Sequence, residues 1–262
     1  MTEQYKILGG QIFAHLMLIP MILYGTINQW LIAFFIYFLM MSFGISMMNH
    51  RTLAHRTVEI KSIVLKYFAL FMSTISLQGS SLAWVAMHRE HHKHSDTEKD
   101  PHSPSHDGFF HSYFLSMMHT PNIKRFGLDL LRDKSVVWFH KHFWKINIGY
   151  SLLLLLIVGP MGPVIFHFIP AVFQWHGSSI VNGLAHYHKS VPSIVGYRNF
   201  ETNELSKNLP LFGYITFGEG WHNNHHGKPQ SYTFKHKWFE WDIVANIINL
   251  FSFIGLVKIK NE

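Results

Sequence analysis

The sequence predicts an all-α integral membrane protein, with four transmembrane helices in two hairpins and a helical cap on the cytoplasmic side. Three observations carry this reading. Of the 262 residues 48% are hydrophobic and 14% charged, against about 25% charged in ordinary soluble domains. No Asp, Glu, Lys or Arg occurs across residues 7–50 or 146–188, and since one crossing needs about 20 apolar residues, each stretch accommodates two. All 22 Lys and Arg lie outside the two hairpins, a one-sided loading that assigns their side to the cytoplasm.

In chain order, spans are expected at 8–26 and 29–49, turning at Gly25-Thr26-Ile27-Asn28-Gln29, and at 146–161 and 163–184, turning at Gly159-Pro160-Met161-Gly162-Pro163. The first segment lacks a basic leader and a small-residue cleavage site, so it reads as a retained span. Residues 50–145 and 185–262 make the cap. Stretch 67–87 is free of charge and long enough to cross, but Ser73, Ser76, Gln78, Ser80 and Ser81 make it the most polar candidate. A crossing there would also part His50 and His55 from His88, His91 and His92. It is expected, like 243–257, as a buried or interfacial helix on the cytoplasmic side. With no repeat or linker, 1–262 reads as one domain with both termini cytoplasmic. The absence of cysteine excludes a disulfide framework, a thiolate metal site and an iron–sulfur cluster. The net charge of +7 fits membrane topology, and no nucleic-acid partner is expected.

Histidine is the outlier: 21 residues, more than all Asp and Glu together. His50 and His55 follow span two, His88-Arg89-Glu90-His91-His92 follows the polar stretch, and His222-Asn223-Asn224-His225-His226 follows Gly218-Glu219-Gly220-Trp221. One HxxHH arises by chance in roughly 0.13 of chains this rich in histidine, so two copies beside membrane surfaces are informative. On a helix His88 and His92 share a face and can grip one metal, while His91 leans toward a second; His222, His226 and His225 repeat the arrangement. His50 and His55 diverge by roughly 140° on a continuous α-helix, so they converge only if the helix ends between them. Neutral imidazole suits iron, zinc and copper alike, and spacing does not choose among them.

These HxxxxH, HxxHH and GEGWHxxHH boxes resemble those of the integral membrane fatty acyl desaturases, particularly the stearoyl-CoA (delta-9) branch. Asp100-Pro101-His102 followed by Gly108-Phe109-Phe110 agrees, as does Asn182-Gly183-Leu184-Ala185-His186. The resemblance implies a dinuclear iron centre, with His50, His55, His88, His92 and His225 on one iron and His91, His186, His222 and His226 on the other. Asn182 would position a bound water. It implies O2 as co-substrate and electrons from a separate donor, ferredoxin or cytochrome b5, because the chain carries no b5-like domain and no flavin or nicotinamide fingerprint. It places Gln78 and Trp84 at the bend of an acyl tunnel. Phe38 and Ser42, twelve and eight residues before His50 on one face of span two, are expected at its closed end.

The resemblance implies insertion of a cis double bond, at delta-9 by family, into a saturated acyl chain. Acid–base chemistry cannot reach an unactivated methylene, so a metal centre would supply the reactivity and the protein the placement. Where the animal acyl-CoA enzymes carry charged residues before box two, this chain has Val85, Ala86 and Met87, and Ser105, His106 and Asp107 replace a basic pair before Gly108. Acyl-CoA, acyl carrier protein and an intact membrane lipid therefore all remain open as carriers. Hydroxylation or acetylenic bond formation would use the same ligands. A metal transporter is disfavoured, because transporters place ligands at the midplane on broken helices. His15, His167 and His176 read as neutral packing groups, His102 as hydrogen-bonding support for a ligand, and His140, His142, His188 and His236 as surface residues. Glu219 either orients a ligand histidine or caps the following helix.

Overall fold

Each charge-free stretch folds as two helices joined at its turn. The computed structural model describes residues 2–187 and 195–260; His188 lies outside them. Glu3–Tyr24 forms one apolar run of 22 residues with a seam at Met17. Thr26 starts the next helix: its hydroxyl accepts from the Gln29 amide while the Gln29 side chain accepts from the Thr26 amide, a reciprocal cap that needs no charge. Ile27–Ala54 follows, with 28 residues. In the second stretch Phe143–Val158 stops at Gly159, whose φ of +88° suits glycine alone, and Met161–Ala185 returns. Among the described residues three helices are thus long and apolar enough to cross a bilayer. Phe143–Val158 has 16 residues, about 24 Å of rise, and Lys134–Lys141 meets it at 67°. The hairpins pack through Met21, Ala33, Val164 and Ile169. Ile22, Leu23, Leu156 and Ile157 remain exposed, an apolar surface suited to lipid.

The histidines within the hairpins find partners. His167 bonds Ser151 and Asn147, while His15 bonds the Gln11 carbonyl and His176, which in turn bonds Tyr113. Stretch 67–87 departs from expectation: it is two helices, Ile63–Ile75 and Ser81–His94, rather than one. Leu77 and Gly79 adopt left-handed φ values of 57° and 87°, and Ser80 caps the second helix by accepting from the Ala83 amide. Its polar side chains are satisfied inside the protein. Ser73 bonds Asn49 and Ser81, and Gln78 Nε2 donates to the Gln174 carbonyl. At the far end of the chain helix Ile243–Phe253 leads into a second departure from all-helical structure. Strand β1 (Val58–Ile60) pairs antiparallel with β2 (Val257–Ile259), and the Lys260 amide extends the clasp to the Thr57 carbonyl.

Candidate metal centre

The helix of span two does not end between His50 and His55. Met40–Ala54 winds as a π-helix, and the His55 amide donates to the His50 carbonyl at 3.0 Å. An i→i+5 ladder spends more residues on each turn than an α-helix, so residues five apart return toward one face. The two rings accordingly lie 5.1 Å apart without a helix end between them. Gly44 lets Ile63–Ile75 seat directly on this segment, since a Cβ there would stand 2.5 Å from the Ser73 backbone nitrogen.

Helix Ser81–His94 supplies His88, His91 and His92; His186 is the C-cap residue of the last span; the short helix His222–Gly227 supplies His222, His225 and His226. The nitrogens of His50, His55, His88, His92 and His225 lie within 4.8 Å of one another, as do those of His91, His186, His222 and His226. In both groups the Nε2 atoms face each other. His50 and His225 are 3.0 Å apart, His55 and His88 2.9 Å, and His92 and His225 2.8 Å. In the second group His186 and His222 stand 2.9 Å apart and His222 and His226 3.1 Å.

Charge decides what such a cage can hold. Burial, followed by like charge on neighbouring rings, pushes His55, His88, His92, His222, His225 and His226 well below the usual histidine range. They are neutral, the state that donates a lone pair to a metal. On the far side of the rings carboxylates take the Nδ1 protons: Glu219 from His50 at 2.6 Å, Asp100 from His91 at 2.9 Å and Asp96 from His186 at 2.9 Å. That pattern fixes each tautomer so that Nε2 faces inward. The donor set therefore fits metal ions, and all-imidazole ligation suits a borderline transition metal.

Glu219 orients His50 rather than capping a helix, because Trp221 stands at the N-cap of His222–Gly227. Burial alone would raise its pKa, but His50 and Arg51 outweigh that and hold it down to about 2. Arg51 is itself fully buried. It pairs with Glu219 at 3.0 Å and with Asp242 at 2.8 Å, and its guanidinium lies 3.9 Å from the Phe234 ring centre. His102 supports a ligand differently from expectation. It stacks on His91 at 4.1 Å, and its backbone amide, not its ring, donates to Asp100. Asp96, Glu204, Arg51 and Asp242 escaped the sequence reading. Asp96 and Glu204 sit on loops, Asp242 at a helix N-cap and Arg51 between the two histidines of box one, with no spacing that marks them; Glu219 and the Asp100-Pro101-His102 motif were the outer positions with a signal.

A cavity runs from Glu3, Gln4 and His119 to His50, His88, His91 and His222. Gln78, Trp84 and Asn182 line it, Trp84 stacking on His88 at 4.9 Å. Phe38 and Ser42 are not in its wall. Phe38 packs edge-on against Phe217 at 4.9 Å, and Ser42 is buried with its hydroxyl unpartnered. Met41 and Ile45 line the cavity from this helix instead. Counting back from His50 by α-helical turns picks the wrong face once the winding becomes π.

Apolar hairpins joined to two buried histidine groups are compatible with a multi-pass membrane protein able to hold metal. The family model for fatty acid desaturases matches residues 28–249. The chain is 32% identical over 234 residues to the sn-2 palmitoyl-lipid 9-desaturase of Nostoc sp. (strain 36), covering 86% of this chain and 78% of that one. It is 33% identical over 229 residues to the sn-1 stearoyl-lipid 9-desaturase of Anabaena variabilis (86% and 81%). It is 31% identical over 240 residues to Delta-9 acyl-lipid desaturase 2 of Arabidopsis thaliana (87% and 74%). The chain belongs to the fatty acid desaturase family, in its delta-9 branch.

Proposed function

We propose that this protein is an O2-dependent di-iron desaturase that places a cis double bond at carbon 9 of a saturated chain carried on an intact membrane lipid. The observation that carries the reading is the meeting of nine Nε2 atoms in two adjacent groups at the end of a cavity. His50, His55, His88, His92 and His225 would hold one iron, and His91, His186, His222 and His226 the other. Two irons there would activate dioxygen, so that one methylene pair, one O2, two electrons and two protons give one alkene and two waters. The carboxylates Glu219, Asp100 and Asp96 fix the ligand rings, and Asn182 would hold a water at the cavity's inner end. Trp84 and Gln78 form its wall, so the acyl chain is held beside the ligands and away from water, the placement on which selectivity depends.

The lipid carrier is supported by the relatives, whose names specify acyl-lipid substrates, and by the uncharged Val85, Ala86 and Met87 before box two. A separate one-electron donor, ferredoxin or cytochrome b5, completes the cycle. The two hairpins and the cap form one domain across four spans, with both termini and the centre on the cytoplasmic side, where positive residues gather. Expression in a host lacking the activity, with mass spectrometry of its lipids, tests the reading. Loss of two hydrogens is expected; loss of four or gain of oxygen would replace it with acetylenic or hydroxylating chemistry. Two irons per purified chain are expected, and a single labile zinc would overturn the di-iron assignment.

A further inference from the structure

The residues around the two histidine groups open on two faces that share no lining residue. The acyl cavity touches His50, His88, His91 and His222. A separate groove on the cap is floored by His55 and His92, the two half-buried members of the five-histidine group. Four arginines ring it: Arg56, Arg89, Arg125 and Arg132. Asp129 is the one acidic residue in the wall, and Arg56 and Arg89 already share it at 2.6 and 2.7 Å. Arg125 and Arg132 are exposed and make no ion pair among the described residues.

Resting on the desaturase reading above, we propose that this groove is the docking surface for a small acidic one-electron carrier protein, and that electrons reach the centre through the rings of His55 and His92. A cleft lined by one sign of charge focuses its field and speeds encounter with an opposite partner. Electron transfer falls off steeply with distance, and these two rings are both the groove's floor and part of the nitrogen cage. Each encounter would deliver one electron, the carrier being oxidised and the metal held by these histidines accepting it, so two encounters would serve one turnover. Substrate and donor thus approach from different faces, and the carrier can dock while an acyl chain fills the cavity. A phosphate-bearing head group fits the groove less well, because its attached chain would have to reach a cavity that shares no lining residue with it.

The test is the double charge reversal Arg125→Glu with Arg132→Glu, in full-length protein in lipid nanodiscs. Binding of a plant-type ferredoxin and of the acidic soluble domain of a cytochrome b5 is measured across a salt series. The expected result is at least a tenfold weaker binding of one carrier and a flatter salt dependence, with reduction of the loaded centre by dithionite unchanged. Carrier binding unaffected by the reversal, or wild type that binds neither carrier, would overturn the proposal. So would loss of stearoyl-CoA binding with carrier binding intact. Because binding is read without product, a wild type that binds the carrier but forms no alkene, with that binding lost in the double variant, would sink the desaturase reading and leave the groove assigned.

Discussion

The two histidine groups differ in what stands behind them. The five-nitrogen group has one carboxylate on its outer side, Glu219 at His50, and that carboxylate is shared with buried Arg51. The four-nitrogen group has three acids at its back: Asp100 at His91, Asp96 at His186, and Glu204 lying 3.8 Å from His226 and 3.6 Å from His186. The group with fewer nitrogens is thus the one with more negative charge behind it. Ligand count and outer charge trade against each other, so the two sites are expected to fail in different ways.

The largest effect comes from removing a ligand on the sparse side. His186→Ala should leave about one metal per chain in place of two and no detectable alkene, whereas His55→Ala, with four nitrogens remaining, should keep two metals bound more loosely; metal analysis after gel filtration separates the two. Equal losses would break the comparison. Next comes Arg51→Met, which strands two buried carboxylates and should cost about 3–5 kcal/mol of stability, read as a lower Tm in detergent, with Arg51→Lys recovering part of it.

Acidity acts on both groups. The six histidines held below their ordinary value of 6.5 stay neutral when folded, but take up protons in the unfolded chain. The unfolded state therefore binds more protons below 6.5, and stability of the metal-free protein falls as pH drops through that value, by up to about 1.4 kcal/mol per group per unit. A Tm at pH 5.5 no lower than at pH 7.5 would contradict this. Asp96→Asn and Asp100→Asn should each weaken one metal by about 10–100-fold at the four-nitrogen group, while Glu219→Gln does so at the other; competition with a chelator reads which metal leaves first. The smallest change is expected from Phe38→Ala, which should leave the chain-length profile unaltered, whereas Met41→Trp should narrow it toward shorter chains.

Much of this was legible in the sequence because its signals are local. Charge-free stretches and the turns at 25–29 and 159–163 act within a few residues, and HxxHH fixes a helix face. What stayed hidden depends on contact or winding. Nothing in Met40–Ala54 announces π-winding, and the misplacement of Phe38 and Ser42 follows from assuming α-helical turns. Asp96 reaches His186 from a loop 90 residues earlier in the chain, and Glu204 from the loop that follows it. The polar run at 67–87 was recognised, but its division into two helices required Asn49, Gln174 and Ser81 as partners.

The clasp between β1 and β2 has a practical consequence. β1 begins three residues after His55, and among the described residues its sole strand partner is β2, near the last of them. A truncation before Val257, or a purification handle fused where it strains that strand, would loosen the tether that follows a metal-ligand candidate. Preparations carrying such a handle should show metal missing from the five-nitrogen group first, a loss easily mistaken for poor metal supply during expression.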